Sequence, residues 1–113
     1  MTVLDRDALV RRLMGNEELA ATIINGFLDE IPDQMGPLRE AVEQRDSPTV
    51  QRLAHGLKGS ASTVGAIALS EATARLEAAG RAEDLDDAGA LLGKVDCCVQ
   101  ELIGEVSATS GTA

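Results

Sequence analysis

The sequence Leu-Ala-His-Gly-Leu-Lys-Gly-Ser-Ala, residues 53–61, lies in a segment whose apolar residues recur every three or four positions. On a helix this spacing gathers them on one face, the pattern of a helix packed against others. The members of this face are Val50, Leu53, Ala54, Leu57, Ala61 and Val64. His55 is the single histidine of the chain and projects about 140° away from the centre of that face. We therefore expect a core helix that presents His55 to solvent.

Lys58 and Gly59 accompany His55 on the outer face of this helix. Lys58 follows one turn later, so its ammonium can lie beside an anion carried by the imidazole. Gly59 follows by four residues, where a side chain would stand over the ring. A glycine inside a helix costs roughly 1 kcal/mol relative to alanine. The expected compensation is access, because bare backbone beside the histidine lets another protein come close.

This pattern resembles the histidine-containing phosphotransfer (HPt) family, whose signature is a histidine, a variable residue, leucine, lysine, glycine, serine and a small residue, then glycine and alanine about a turn later. The matching residues are His55, Gly56, Leu57, Lys58, Gly59, Ser60, Ala61, Gly65 and Ala66. The resemblance implies that His55 is phosphorylated on Nε2. It also implies that Lys58 stabilises the phosphoryl group and that Gly59 gives the partner access.

Members of the family often hold the other ring nitrogen of the histidine with a polar side chain from the next helix. Glu77 is the residue best placed for this role, because a glutamate can accept a proton from Nδ1 of His55 and fix its tautomer. Glu77 could equally be a solvated helix residue or a partner of Arg81, which follows one turn later. The sequence leaves these interpretations open.

The resemblance further implies a phosphorelay intermediate that accepts its phosphoryl group from a receiver-domain aspartate and passes it to, or back from, another response regulator. A hybrid sensor histidine kinase is the other expected partner, and Mg²⁺ belongs to the receiver domain. The docking surface should lie on the outer face of the histidine helix, with basic residues of the first helix nearby. Its expected members are Gln51, Arg52, Ser62, Arg11 and Arg12.

The sequence contains no Walker A pattern, no glycine-rich loop of the kinase type and no acidic cluster placed to hold Mg²⁺. We therefore expect a phosphotransfer protein without its own ATP or metal site rather than an autonomous enzyme. Two alternatives stay open. In the first alternative, the chain is a phosphorylatable domain excised from a larger hybrid or chemotaxis-type histidine kinase. In the second, it is a helical interaction module without phosphotransfer.

Composition supports a small helical protein. The 113 residues suit one domain, and their 44% hydrophobic content includes one aromatic residue, Phe27, which disfavours a sheet protein. A net charge of −9 opposes binding to nucleic acid. No apolar run is long enough to span a bilayer, and no secretory signal begins the chain. We therefore expect a cytoplasmic protein. We also expect it to be a monomer.

Capping signals and periodicity predict one short helix and four longer ones. The first helix begins after Asp5 and ends near Met14, and the second begins at Glu17. The third begins with Ser47 as its N-cap and ends at Gly65. The fourth covers about Ala68 to Ala79 with Gly80 as its stop, and the fifth covers about Asp84 to Val106. The second is expected to continue through a kink at Pro32, and the rival is a break near Gly36 and Pro37.

These helices predict an all-α fold, an up-and-down antiparallel four-helix bundle with a short additional N-terminal helix. The domain is expected to cover residues 1–106. Residues 107–113 are small and polar, and are expected to form a disordered tail.

Overall fold

The described part of the chain consists of helices joined by short connections. A computed structural model describes residues 3–110, with side chains for residues 3–107. No strand occurs in this part, and its helices are α1 (Arg6–Arg12), α2 (Glu17–Glu43), α3 (Ser47–Val64), α4 (Ile67–Arg81) and α5 (Ala88–Ser110). The histidine-bearing helix α3 packs against α2 and α4, while α5 contacts α4 and α2, and α1 contacts α2. The predicted all-helical class is confirmed.

The apolar periodicity of α3 places its side chains as the sequence predicts. Val50, Ala54, Leu57, Ala61 and Val64 are buried, and Leu53 is partly buried against the same core. The other long helices each add a face, and the largest fully buried side chains include Ile24, Met35, Leu38, Leu69, Leu76 and Leu102. Since α3 has neighbours on both sides, its outer face is the narrow strip that carries the histidine.

Helix α2 runs without interruption through both of its internal prolines, Pro32 and Pro37. The predicted continuation past Pro32 is confirmed, and the alternative break near Gly36 and Pro37 is wrong. Both prolines are exposed, so water can bind the carbonyl groups that lose their helical hydrogen bonds. Buried side chains before and after the prolines keep both halves of α2 on the core.

The two ends of α3 have different capping interactions. The N-cap is Asp46 rather than the predicted Ser47, because the Asp46 carboxylate accepts from Thr49 N at 3.4 Å and from Thr49 Oγ1 at 2.7 Å. At the other end Gly65 adopts a left-handed φ of 83°, as predicted for the stop. Its carbonyl accepts from Asp5 N at 2.8 Å, which ties the start of the chain to the end of α3.

Helix α4 does not end at Gly80, as the sequence predicts, but continues to Arg81. Gly80 is buried within it, and a Cβ atom at this position would lie 2.8 Å from Gln51 N and 3.2 Å from Ser47 O. Gly80 is therefore a packing residue that brings α4 against the backbone of α3.

Helix α5 begins at Ala88 rather than at the predicted Asp84. The residues before it form turns that bury Leu85 in the core. The helix continues to Ser110, past the predicted end near Val106. Residues 111–113 of the predicted tail lie outside the described residues.

Candidate functional site

The imidazole of His55 projects from the middle of α3 and is 68% exposed. It lines two adjoining depressions, one shared with Glu77 and residues of α3, the other shared with residues of α2. A Cβ atom added to Gly56 or Gly59 would meet nothing within 4 Å. The ring is therefore accessible, and the space beside Gly59 is open, as the access argument requires.

Glu77, on α4, holds the ring in place. Its Oε2 lies 2.9 Å from Nδ1 of His55, although the Glu77 side chain is only 6% exposed. An ionised carboxylate can only accept a hydrogen bond, so the proton must be on Nδ1, which donates it. In the neutral imidazole this leaves Nε2 with a free lone pair.

Two cations share the same carboxylate. Lys58 Nζ lies 2.7 Å from Glu77 Oε1, and Arg81 Nη2 lies 3.1 Å from Glu77 Oε2. Glu77 thus contacts both His55 and Arg81, whereas the sequence presents these as alternatives. The interpretation of Glu77 as a solvated residue is wrong because its side chain is buried.

The ionised state of Glu77 is favoured by these partners. Its hydrogen bond to Lys58 lowers the pKa of the carboxyl group below its ordinary value, against the opposing effect of burial, and the hydrogen bond to His55 lowers it further. Among described residues, no buried side-chain nitrogen or oxygen lacks a partner. A buried charge in a helical core is costly unless it is paired in this way.

Lys58 lies where the sequence places it, one turn after His55, but its ammonium is bound to Glu77. Its side chain is 33% exposed, so part of it reaches the surface next to the ring. The two residues approach Glu77 through different oxygen atoms. The cation and the imidazole are therefore held on one carboxylate, close to a single point on the surface.

The predicted docking residues separate into two groups. Gln51 and Arg52 line a depression together with His55 and Glu77. Ser62 is exposed two turns further along α3, and Arg11 is exposed on α1. Arg12 donates from Nη2 to the carbonyl of Thr63 at 2.7 Å, which joins α1 to the last turn of α3. Ser62, Arg11 and Arg12 line neither depression at His55.

Sequence reasoning misses the contribution of α2 to the surroundings of His55. Thr22, Ile23, Gly26 and Glu30 line the second depression, opposite the glycines of α3. One signal was available, because Gly26 interrupts a helix without ending it, as Gly56 and Gly59 do. Periodicity within α2 gives no indication that these residues face the histidine.

No cluster of three histidine, cysteine, aspartate or glutamate residues that could hold a metal ion occurs among the described residues. No described helix has both the length and the apolar character needed to cross a membrane. Cys97 and Cys98 are free thiols on α5.

Three comparisons relate this chain to known proteins. The model of the Hpt domain matches residues 22–109. The sensor histidine kinase AruS of Pseudomonas aeruginosa is 36% identical over 76 residues, which cover 66% of this chain and only 8% of the kinase. The crystal structure of histidine-containing phosphotransfer protein B (HptB) from Pseudomonas aeruginosa matches with a TM-score of 0.87 at 21% identity, covering 98% of this chain and 96% of that one. The family match includes α3 and α4, which carry His55 and Glu77.

Proposed function

The chain belongs to the Hpt domain family, and we propose that it is a phosphorelay intermediate that carries a phosphoryl group on Nε2 of His55. The observation that carries the proposal is the 2.9 Å contact between Nδ1 of this exposed imidazole and the buried carboxylate of Glu77. That contact fixes the proton on Nδ1 and leaves Nε2 as the nucleophile. Exposure of the ring leaves it accessible to a donor carried by another protein.

The donor in this proposal is the phosphorylated aspartate of a receiver domain. The lone pair of Nε2 attacks phosphorus, the N–P bond forms, and the P–O bond to the aspartate breaks with its electron pair left on the aspartate carboxylate. The imidazole then carries a positive charge shared with its Nδ1–H, which Glu77 stabilises. Transfer to a second response regulator is the same step in reverse, with the imidazole as the leaving group.

Lys58 and Gly59 have distinct roles in this step. The Lys58 ammonium, bound to Glu77 Oε1 in the free protein, interacts with phosphoryl oxygens when they arrive one turn away. Gly59 leaves open the space beside the ring, since a Cβ atom there would meet nothing within 4 Å. Arg52 and Gln51 contribute to the surface at which the receiver docks, and Arg11, Arg12 and Ser62 lie at its edge.

The remaining parts of the proposal concern the arrangement and the partners. The contacts of α2, α3, α4 and α5, with their short connections, support an up-and-down antiparallel four-helix bundle with α1 as the additional helix, in a domain that continues past the predicted residue 106 to the end of α5 at Ser110. The protein works as a cytoplasmic monomer without its own ATP or metal site. Its partners are receiver domains, which hold Mg²⁺, and a hybrid sensor histidine kinase.

Phosphoryl transfer from a panel of receiver domains tests the proposal. Each receiver is phosphorylated with acetyl phosphate and Mg²⁺, then mixed with wild type or with His55→Gln. Label is expected on the wild type alone, lost in acid and stable in alkali, as an N–P bond requires. Helicity and melting of His55→Gln should stay close to wild type because the ring lies outside the core and Lys58 and Arg81 still pair with the Glu77 carboxylate. Equal labelling of both proteins would refute the assignment of His55.

A further inference from the structure

A groove between α4 and α5, which we call the α4–α5 groove, is lined by side chains from residues 68–75 and 91–98 and has a volume of about 220 Å³. None of its lining residues lines either depression at His55. We propose that the groove binds the free anion of a medium-chain fatty acid, with the alkyl chain along its floor and the carboxylate between Arg75 and Lys94. This site is separate from phosphotransfer at His55.

The floor of the groove is apolar. It is formed by Ala68 and Ala72 of α4 and by Leu91 and Cys98 of α5. Ala72, Leu91 and Cys98 are partly buried and pack against the core. The two alanines lie one turn apart, and their short side chains leave the space that the groove occupies. Burial raises the pKa of the Cys98 thiol, so this group is neutral, and an alkyl chain on the floor would meet no charge.

Helices α4 and α5 run in opposite directions along the groove. Residues 82–87 join the end of α4 to the start of α5, whereas Cys98 Sγ donates to the carbonyl of Ala68, near the start of α4, at 3.7 Å. Residues 68 and 98 therefore mark one end of the groove, and residues 75 and 91 mark the other. A helix rises about 10 Å over this distance, which is close to the length of an extended octanoate anion.

Arg75 and Lys94 supply the charge that complements a carboxylate. Both are exposed, and neither forms an ion pair with another described residue. Side chains in a helix incline toward its N-terminus. Because their helices are antiparallel, Arg75 and Lys94 incline toward each other. Two unpaired cations that converge over an apolar floor form a site for the head group of an amphipathic anion.

Glu71, the acidic residue at the rim, determines which end of the groove receives the carboxylate. It precedes Arg75 by one turn, and it forms no ion pair with a described residue. Its side chain inclines toward Ala68, so the ligand carboxylate is expected at the Arg75 end. The net charge of the chain is −9, which repels anions over most of the surface. Binding of a fatty acid anion should therefore be confined to the two cations.

Titration of the full, ¹⁵N-labelled chain with octanoate, followed by the amide chemical shifts, tests the proposal. The ligand control is octylammonium, which has the same alkyl chain and the opposite charge. Octanoate should give saturable shifts confined to residues 68–75 and 91–98, with a Kd on the order of 1 mM. Octylammonium should bind at least about fivefold more weakly.

Two sets of variants separate the cations from the floor. Arg75→Gln and Lys94→Gln should each weaken octanoate binding about two- to fivefold, while their control, Arg11→Gln, removes an exposed cation of α1 and should not change it. Replacing both cations by glutamate should reverse the preference, so that octylammonium binds more tightly than octanoate. Ala72→Leu fills the floor and should abolish binding, and its control, Ala78→Leu, places the same side chain at an exposed position of α4 outside the groove.

Shifts that do not saturate, or equal affinities for octanoate and octylammonium, would overturn the proposal. Equal binding by Arg75→Gln, Lys94→Gln and Arg11→Gln would do the same. If the shifts along the groove appear when the concentration of ligand-free wild type is raised, a second copy of the chain covers the groove, and the fatty acid is not its occupant. The cation variants change exposed side chains, so they decide the question even if Ala72→Leu does not fold.

Discussion

Replacing Gly80 by alanine tests the close approach of α4 to α3. The new Cβ atom would lie 2.8 Å from Gln51 N, 3.1 Å from Gln51 Cα and 3.2 Å from Ser47 O. All three are backbone atoms of α3, so no side-chain rotation relieves the overlap and the helices must separate. Overpacking of this kind costs about 1–3 kcal/mol, and rigid backbone on both sides places it near the upper limit. Alanine returns about 0.5–1 kcal/mol of helix stability, so the net loss is about 2 kcal/mol.

Urea unfolding followed by far-ultraviolet circular dichroism measures this loss. The helix signal is the suitable probe because the chain has no tryptophan or tyrosine. With a slope of about 2 kcal/mol per molar urea, the midpoint of Gly80→Ala should fall by roughly 1 M. The control is Gly93→Ala, where a Cβ atom meets nothing within 4 Å. It should raise the free energy of unfolding by about 0.5–1 kcal/mol.

A urea midpoint for Gly80→Ala at or above that of wild type would refute the packing argument. The alanine at position 80 would then act only through its higher helix propensity, as the alanine at position 93 does. Gly80 also lies one turn after Glu77, so separation of the helices withdraws the carboxylate from His55. Transfer by Gly80→Ala should accordingly be slower than transfer by Gly93→Ala.

Two further predictions concern the carboxylate shared by His55 and Lys58. Because the pKa of Glu77 is lowered from 4.5 in the folded protein, its ionisation stabilises the fold above that pH, and this contribution is lost as the pH falls through the lower folded value. The difference in unfolding free energy between wild type and Glu77→Gln should therefore narrow from pH 7 to pH 3 in urea titrations, and a constant difference would contradict the ion pairs. Lys58→Ala should slow phosphoryl transfer from the receiver. It should also shift the loss of stability in acid to higher pH, since Lys58 is the main cause of the lowered pKa of Glu77. Transfer at the wild-type rate would contradict the proposed role of Lys58.

The sequence predicts the helices better than their ends. Burial of one face of α3 follows from periodicity, because a repeat of three to four residues is a property of a single helix. The N-cap is a closer decision, since Asp46 and Ser47 are both favoured residues and only the contact with Thr49 shows which one caps. The predicted start of α5 at Asp84 is wrong because tertiary packing buries Leu85 in the core, and this burial takes precedence over the helix signal of the surrounding aspartates.

The contacts around His55 can be predicted from the sequence where they lie within one helix, but not where they depend on the packing of two helices. The spacing of Lys58 and Gly59 is fixed within α3, so their closeness to the histidine follows from helical geometry alone. The contact with Glu77 depends on how α4 is shifted and rotated against α3, which no pattern within either helix specifies. The facing position of Gly26 likewise depends on the packing of α2.

Gly80 shows how a signal within one helix and the packing between two helices can be confused. A glycine near the end of an apolar repeat normally indicates a helix stop, yet here it permits α4 to touch the backbone of α3 at Gln51. Gln51 lies one turn before His55, and Gly80 lies one turn after Glu77. Because the atoms nearest to the place of a Cβ atom at Gly80 are backbone atoms of α3, no change of side-chain rotamer could make room for a larger residue there. The glycine that the sequence presents as a helix stop thus permits the close approach of α4 to α3, the two helices that carry Glu77 and His55.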